Sequence, residues 1–415
     1  MIGFAGMTHL GIVSGLAAAA KGAPVVAFDP DAGLVARLAR GEFPINEPRL
    51  AEIWAAQQNR IRFTGNAADL GACDLVYVSP DVPTGDDGVS DLGPVRRLLE
   101  IVGAAAAGRT RILLSQVPPG FTRALDDSGI YYQVETLVFG RAFERALEPE
   151  RFIVGCADPA LALPAAFRGF LERFGCPILP MRYESAELAK IAINCCLAAS
   201  VTIANSLAEL AEGVGADWSE IVPTLRLDRR IGAHAYLAPG LGLSGGNIER
   251  DLATVTRLAD ASGADAGAIR AMLSNSRHRK DWPLRRFGEL VADRVRNPRL
   301  ALWGLAYKEN THSTKNSPAL AFLAGISNVP VRAYDPWVPA EPRFHSQILQ
   351  AKDPLEACRG ADALAVLTPW PEFKTVAPAD VAAAMKGRVV LDPYRMLDPE
   401  ACRAAGLHQA VLGAP

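Results

Sequence analysis

The stretch from Glu184 to Glu212 constrains the fold of this chain more than any other feature, because it contains neither glycine nor proline. Acidic residues at its start, and Gly213 and Gly215 just beyond its end, are typical of the two ends of a helix, so the sequence predicts one long helix. Most of its side chains are small or apolar, and a helix that is apolar nearly all round must be buried. We therefore expect a spine shared between two domains, two subunits or both.

A stripe of polar residues interrupts this apolar surface. Glu187, Lys190 and Asn194 are spaced at i, i+3 and i+7, which places them on one face of the helix. Taken alone, Lys190 is better explained as a lysine whose amine reaches solvent than as a catalyst. Its role depends on what the other motifs of the chain place beside it.

Length and composition exclude several classes of protein. At about 100–200 residues per domain, 415 residues predict two to four domains. A formal net charge of -2 and a pI of about 6.3 provide no basic excess to hold polyphosphate, so we expect neither nucleic acid nor a membrane as a partner. The seven cysteines form no CxxC pair, and the chain begins on an apolar strand without a basic leader. We therefore expect a soluble cytoplasmic protein with reduced thiols.

The N-terminus has the pattern of a dinucleotide-binding βαβ unit. A predicted strand at 2–5 leads through a glycine turn into a helix, and the next strand ends at Asp29. Glycines let the backbone approach a pyrophosphate at the helix N-terminus, and an acid at this spacing accepts from both ribose hydroxyls. Asp29 favours NAD over NADP because a carboxylate repels the 2′-phosphate. The turn residues predicted to bind the cofactor are Gly6, Thr8, Leu10 and Gly11.

One residue of this turn departs from the usual pattern. Thr8 stands where the middle glycine is expected, and its side chain either crowds the phosphate or donates its hydroxyl to it. An ordinary joint between a strand and a helix is the alternative interpretation of the whole turn. The position of Asp29 favours the cofactor interpretation.

Strands and helices alternate at both ends of the chain. Strands near 75–79, 111–115 and 152–155 precede the long helix, and the pattern restarts at residue 300, with a second strand ending at Asp335. Short apolar strands that alternate with helices predict parallel sheets covered on both faces. The predicted fold class is α/β, with two doubly wound Rossmann-like domains joined by the long central helix and a small helical domain. The predicted domain boundaries are 1–182, 183–290 and 291–415.

A glycine-rich loop follows the long helix, between Tyr236 and Asp251. Its backbone amides can approach a ligand closely, and Gly242 and Gly245 lie at its centre. A flexible linker is the alternative interpretation. A linker, however, rarely runs straight into a patterned helix such as residues 251–261.

Several motifs, in their order along the chain, resemble those of the UDP-glucose/GDP-mannose 6-dehydrogenase family. They are Gly41-Glu-Phe-Pro-Ile-Asn-Glu-Pro48, Ser115-Gln-Val-Pro-Pro-Gly120, Glu184-Ser-Ala-Glu-Leu-Ala-Lys190 with Asn194, Asp228-Arg-Arg-Ile-Gly232, Gly304-Leu-Ala-Tyr-Lys308 and Tyr334-Asp-Pro336. The likeness extends from Ile2 to about Pro399. It implies that residues 1–182 bind NAD, that residues 183–290 form a homodimer and that residues 291–415 bind a nucleotide sugar, with a UDP-sugar as the expected partner.

The resemblance also implies roles for individual residues. Lys190, Asn194 and Asp251 would surround C6 of the sugar and bind or activate a water there, which replaces the solvent-reaching interpretation of Lys190. Glu135 would lie in a loop that faces the cofactor. Further cofactor contacts would come from Pro83, Gln116 and Lys315. The residues implied to bind the substrate are Arg230, Tyr236, Gly242, Gly245 and Lys308, with Arg230 reaching a phosphate from the neighbouring subunit.

The chain departs from the family at the residue that carries covalent chemistry. The family oxidises a primary alcohol twice and passes through an adduct on the cysteine of Gly-Gly-Ser-Cys-Phe-Pro-Lys-Asp. This chain has Ser244-Gly-Gly-Asn247-Ile-Glu-Arg-Asp251, so Asn247 takes the place of the thiol. An amide cannot form a thiohemiacetal. Cys195 and Cys196 belong to the long helix and are most simply core residues.

Three functions remain open at the level of sequence. The first is NAD-dependent oxidation of a nucleotide sugar that removes one hydride and releases an aldehyde, with Asn247 donating a hydrogen bond to the developing carbonyl oxygen. The second is a redox-neutral reaction, epimerisation or elimination, in which the hydride is returned. The third is a non-catalytic binder of nucleotide sugars. The number of NADH molecules formed per substrate separates the three.

Overall fold

A computed structural model describes residues 1–83, 85 and 89–415. Contacts divide the chain into two compact units, Met1–Ile193 and Asn194–Pro415. Each unit is built around one sheet, and one long helix runs through the division between them. The predicted α/β class, with two doubly wound sheets and a central helix, is confirmed. The three domain boundaries predicted from the sequence stay a prediction.

The described residues of the first unit form eight strands: β1 (Ile2–Ala5), β2 (Val25–Phe28), β3 (Ile61–Thr64), β4 (Leu75–Val78), β5 (Thr110–Leu113), β6 (Ile130–Gln133), β7 (Phe152–Cys156) and β8 (Ile178–Arg182). Their order in the sheet is β3-β2-β1-β4-β5-β6-β7-β8. Neighbours are parallel except β6 and β7, where the chain reverses, so the sheet is not wholly parallel as predicted. β1 and β4 lie side by side although the chain leaves them towards opposite edges. Such a switch point opens a crevice at the carboxyl ends of the strands.

In the part of this unit that the structure describes, six helices accompany the sheet: α1 (His9–Ala20), α2 (Ala32–Ala39), α3 (Leu50–Gln57), α4 (Gly93–Ala105), α5 (Ala142–Leu147) and α6 (Ala165–Leu171). α1 contacts the sheet, α3 and α5, and apart from His9 and Ser14 its residues are alanine, glycine and branched apolar types, nearly all of them buried. A helix in that position needs no polar face. The apolar composition of α1 therefore fixes it in the centre of the unit, with its N-terminus at the switch point.

The long helix α7 (Tyr183–Val214) confirms the predicted spine. Its first turns pack Tyr183 and Ala186 into the core of the first unit, and later turns pack Ala204 and Ala208 against Trp218 in the second. Several large apolar side chains on α7 are exposed: Leu188, Ile203, Leu207, Leu210 and Val214. Among the described residues, α7 is the one helix long and apolar enough to span a membrane, which is weak evidence because core helices pass the same test.

The second unit begins with four further helices: α8 (Trp218–Leu227), α9 (Asn247–Ser262), α10 (Gly267–Lys280) and α11 (Trp282–Phe287). Its six strands are β9 (Leu300–Trp303), β10 (Val331–Tyr334), β11 (Ile348–Gln350), β12 (Ala363–Val366), β13 (Val389–Leu391) and β14 (His408–Ala410). They form a parallel sheet in the order β11-β10-β9-β12-β13-β14. The remaining helices are α12 (Pro318–Gly325), α13 (Pro354–Cys358), α14 (Pro378–Ala384) and α15 (Pro399–Ala404). A large apolar core surrounds the strands and includes Trp303, Phe322 and Phe373.

Candidate functional site

Two glycines shape the turn between β1 and α1. Gly6 has a φ of 96°, and a Cβ at this position would lie 2.9 Å from the backbone nitrogen of Pro80. A Cβ on Gly11 would lie 1.9 Å from the carbonyl oxygen of Gly6, so only glycine lets the helix begin this close to the strand. The turn therefore presents the N-terminus of α1 at the switch point. Leu10, predicted as a cofactor contact, has its side chain buried in the core.

The carboxylate of Asp29 lies at the end of β2, beside the same turn. Its Oδ2 accepts a hydrogen bond from the backbone amide of Met7 at 2.7 Å, and its Oδ1 accepts from the amide of Asp31 at 2.9 Å. A carboxylate offers about four lone-pair sites, so each oxygen can still accept from a ribose hydroxyl. The glycine turn and Asp29 together fit the backbone approach and the ribose contact that a dinucleotide needs.

A carboxylate that the sequence did not single out lies at the N-terminus of α1. Asp81 follows β4, and its Oδ2 accepts from the backbone amide of His9 at 3.0 Å. Its own amide donates to Oγ1 of Thr8 at 2.7 Å. Thr8 is the N-cap residue of α1 but makes no capping bond with its side chain. The hydroxyl of Thr8 is therefore bonded to the loop after β4, because it accepts from the amide of Asp81 and also interacts with the carboxylate of Asp81.

The motif at 41–48 contributes a second, buried acid to this region. Glu47 accepts from Nε2 of His9 at 2.8 Å and from the backbone amides of Gly140 and Ala142. Burial alone would raise the pKa of Glu47, but the hydrogen bonds from His9 and the two amides outweigh it and hold that pKa below its usual value. The ring of His9 also packs on Phe139. His9 is thus held in place at the first position of α1.

The polar stripe of α7 is buried rather than solvent-exposed. Nζ of Lys190 forms an ion pair with Oε1 of Glu135 at 2.9 Å, and Glu135 follows β6. Lys190 is only 9% exposed, so its side chain is buried rather than extended into solvent. Glu187 accepts from the amides of Gly120 and Thr122 and so holds the loop after β5, and burial raises its pKa. The stripe therefore combines one loop anchor with one buried ion pair.

Two other predicted cofactor contacts lie in loops at the carboxyl edge of the first sheet. Gln116 follows β5 and is half-buried, and Pro83 follows β4 and is exposed. The carbonyl of Pro83 accepts from the amide of Asp91 at 2.8 Å. Both residues lie at the edge where ligands of α/β sheets bind.

In the second unit, Asn194 and Asp251 form one buried cluster. Nδ2 of Asn194 donates to Oδ2 of Asp251 at 2.5 Å, and Nε of Arg250 donates to its Oδ1 at 3.1 Å. The three residues are at most 8% exposed. A charged donor and an amide donor, one on each oxygen, fix the orientation of the carboxylate. The sequence predicted Asn194 and Asp251 but not Arg250, although Arg250 is adjacent in the chain.

Asn247 is the first residue of α9, one turn before Asp251, and it is exposed. Cys195 follows Asn194 on α7, and burial together with Asp251 raises the pKa of its thiol to about 11. At neutral pH, a thiol with that pKa is a thiolate in only about one molecule in ten thousand. Cys358 and Cys402 are buried in the core of the second sheet. None of these three thiols is an activated nucleophile.

The glycine-rich loop is tightly packed rather than flexible. Gly242 has a φ of 78°, and a Cβ there would lie 2.4 Å from the carbonyl oxygen of Ser276. Gly245 has a φ of 85° and lies against the ring of Tyr307, and its amide donates to the carbonyl of Lys315 at 3.1 Å. This packing joins the loop to the segment after β9. The linker interpretation is therefore wrong for this stretch.

The remaining predicted contacts divide into packed and exposed residues. Nζ of Lys308 lies 5.7 Å from the centre of the Tyr307 ring. The side chain of Arg230 is 89% exposed and pairs with Asp228 at 2.6 Å, and Tyr236 is 51% exposed. Lys315, predicted near the cofactor, lies in the second unit beside the glycine-rich loop.

The acid of the second sheet is used differently from Asp29. Asp335 follows β10, and its Oδ2 accepts from the amides of Leu305 and Ala306 and from Nε1 of Trp370. Its Oδ1 accepts from two more amides in the turn that follows. Five donors exceed the lone-pair sites that a carboxylate offers. Asp335 therefore has no capacity left for a ribose, and the two sheets are not equivalent as nucleotide sites.

Three sequence models of the UDP-glucose/GDP-mannose dehydrogenase family match this chain in order. The NAD binding domain matches residues 1–167, the central domain matches residues 184–277, and the UDP binding domain matches residues 301–399. Together these stretches cover most of the chain. The predicted cofactor, NAD, is confirmed, because the NAD binding domain of the family matches the part of the chain that contains the glycine turn and Asp29. That these residues bind it stays a prediction.

Individual proteins give the same result over the whole length. The UDP-glucose 6-dehydrogenase of Pseudomonas aeruginosa is 28% identical, over 99% of this chain and 96% of that protein. A UDP-glucose 6-dehydrogenase of Bacillus subtilis is 27% identical, over 99% and 92%. The structure of a UDP-glucose dehydrogenase from Pyrobaculum islandicum superposes with a TM-score of 0.85 at 24% identity, covering 100% of this chain and 98% of that one. At that identity the structural match supports the fold alone.

Proposed function

Because the chain belongs to the UDP-glucose/GDP-mannose dehydrogenase family, we propose that it oxidises the C6 primary alcohol of a UDP-sugar with NAD and stops largely at the aldehyde. The observation that carries the second half of this proposal is Asn247. An amide occupies the position of the family's cysteine, and the nearby thiol of Cys195, with a pKa of about 11, does not replace it.

The residues that remain are sufficient for one oxidation. The glycine turn and Asp29 would hold NAD, which would supply the acceptor for the hydride of the alcohol carbon. The cation of Lys190, held by Glu135, lowers the proton affinity of an alkoxide beside it. Asp251 takes up the hydroxyl proton, directly or through a water, and Asn194 and Arg250 hold its carboxylate in position. Loss of the hydride and the proton gives an aldehyde.

A second oxidation needs a tetrahedral adduct of that aldehyde. In the family the thiol forms this adduct, whereas an amide is not a nucleophile under these conditions. Asn247 can donate a hydrogen bond to the carbonyl oxygen, which stabilises the aldehyde complex but adds no covalent bond. Only hydration by a positioned water then leads to an acid. Acid formation should therefore be slow compared with aldehyde formation.

Product analysis tests this proposal directly. Purified protein, NAD and a panel of UDP-sugars are incubated with hydroxylamine, and the sugar products are identified by mass spectrometry. We expect the oxime of a UDP-sugar 6-aldehyde from the natural protein and increased acid from Asn247→Cys. Asn247→Ser is the matched control, because it also removes the amide but supplies no thiol. Rapid acid formation by the natural protein, with no oxime, would refute the proposal.

We also propose that the protein works as a cytoplasmic homodimer, with residues 183–290 as its interface region. The exposed apolar residues on α7 include Ile203, which is 59% exposed, and Val214, which is 68% exposed. They support a dimer because monomeric proteins rarely expose this many large apolar side chains on one helix. The exposed Arg230 suits a contact across subunits. Light scattering should give twice the chain mass of 44.2 kDa at micromolar concentration. A mass of one chain would contradict the proposal.

A further inference from the structure

Asp81 lies where an α/β sheet binds the charged part of its ligand. It follows β4, and β4 and β1 flank the switch point of the first sheet. Its Oδ2 accepts from the amide of His9, the first residue of α1, at 3.0 Å. Its amide is bonded to Oγ1 of Thr8 at 2.7 Å, so two contacts hold the residue at the N-terminus of α1.

The N-terminus of α1 is also where the pyrophosphate of a dinucleotide is expected. Unpaired backbone amides and the helix dipole favour an anion there, and the glycine turn exists to let the phosphates approach. In this protein a carboxylate already accepts from one of these amides. A pyrophosphate placed at the same amides would meet a like charge at short distance and would lose one donor.

We propose that Asp81 is an internal competitor of the NAD pyrophosphate, so that the cofactor binds only when the carboxylate leaves the amide of His9 or loses its charge. Asp81 thereby sets the affinity of the protein for its dinucleotide. The inference rests on NAD as the cofactor. It adds that part of the free energy of NAD binding is spent on displacing or neutralising the carboxylate of Asp81. It predicts tighter binding when the charge is removed.

The surroundings of Asp81 disfavour the charged form of its carboxyl group. Asp81 is exposed as a residue, yet loss of solvent around its carboxyl group raises its pKa, and the negative charge of Glu135 adds to the effect. His9 and the hydroxyl of Thr8 act in the opposite direction and lower it. The ring of His9 is also hydrogen-bonded to Glu47, so Asp81 shares it with a second carboxylate. The carboxylate is therefore held near α1 by hydrogen bonds against an unfavourable electrostatic environment.

Isothermal titration of the full-length protein with NAD tests the proposal. Asp81→Asn keeps an oxygen that can accept from His9 but removes the charge, and we expect it to bind NAD about tenfold more tightly than the natural protein. Asp81→Glu keeps the charge and should bind no more tightly. Asp126→Asn is the matched control for loss of one carboxylate, because Asp126 is exposed and its φ of 50° suits asparagine.

The titrations separate a failure of the Asp81 proposal from a failure of the NAD assignment. If Asp81→Asn binds NAD as the natural protein does, or more weakly, Asp81 is not a competitor and the proposal is wrong. If the natural protein and all variants fail to bind NAD, the proposal fails together with the cofactor on which it rests. Melting temperatures without NAD show whether each variant is folded, so that a loss of binding through unfolding is recognised.

Discussion

Replacing Arg250 with methionine tests the buried cluster that holds Asp251. Arg250 is 6% exposed and Asp251 is 1% exposed, so Arg250→Met removes one charged donor from a carboxylate in the interior. Breaking a buried ion pair from one side costs about 3–5 kcal/mol. Because Nδ2 of Asn194 still donates to Oδ2, we expect the lower end, a loss of about 3 kcal/mol in the free energy of unfolding of the second unit.

Urea denaturation followed by tryptophan fluorescence measures this loss. Trp54 is the only one of the six tryptophans that lies outside Asn194–Pro415, so the signal reports mainly on the second unit. Arg250→Lys keeps the charge and should cost about 1 kcal/mol. The double variant Arg250→Met/Asp251→Asn removes both charges and should lose less than the two single variants together. A loss below about 1 kcal/mol for Arg250→Met would refute the claim that the pair is buried and coupled.

Three further predictions concern the first unit. Asp29→Ala should weaken NAD binding by about tenfold or more, since it removes an acceptor for the ribose hydroxyls. It should also reduce the difference in affinity between NAD and NADP, as measured by thermal shift with each cofactor. An unchanged difference would show that Asp29 is not part of the site. Gly11→Ala should destabilise the unit by about 2–3 kcal/mol and abolish NAD binding, because its Cβ would meet the carbonyl of Gly6. Gly15→Ala on the same helix is the control. Its Cβ would make only ordinary van der Waals contacts, so stability and NAD binding should not change. Burial raises the pKa of Asp81 in the free protein, and a bound pyrophosphate raises it further, so NAD binding takes up protons and tightens as the pH falls. NAD titrations at about pH 7.5 and about pH 5.5 should show a larger change in affinity for the natural protein than for Asp81→Asn. Equal changes would mean that Asp81 leaves α1 as a carboxylate.

The elements that the sequence predicted best are those with local signals. The long helix, the turn at Gly6 and the acid at Asp29 are set by glycine positions and apolar patterns within short windows. The strands β3 and β8 were not predicted because each contains residues that are unfavourable in isolation, such as Arg62 and Pro180. Pairing with a neighbouring strand overrides that local preference.

Partners far apart in the chain could not be predicted from residue types. Lys190 forms an ion pair with Glu135, and only the family resemblance predicted that the two residues belong to one site. Asp335 repeats the pattern of Asp29 at the end of a second strand, yet its five donors show that it stabilises turns. Asp81 had a local signal, an acid directly after a strand at the carboxyl edge of the sheet. Its contact with His9 depends on the order of β1 and β4, which the sequence pattern does not determine.

The ratio of NADH formed to UDP-sugar consumed tests the central claim most directly. NADH is followed by absorbance and the remaining sugar by chromatography, with substrate chosen from any nucleotide sugar that co-purifies with the protein. We predict about one NADH per sugar, with the aldehyde trapped by hydroxylamine, because Asn247 supplies no thiol for a second hydride transfer. Two NADH per sugar, with acid as the product and no trapped aldehyde, would contradict the account.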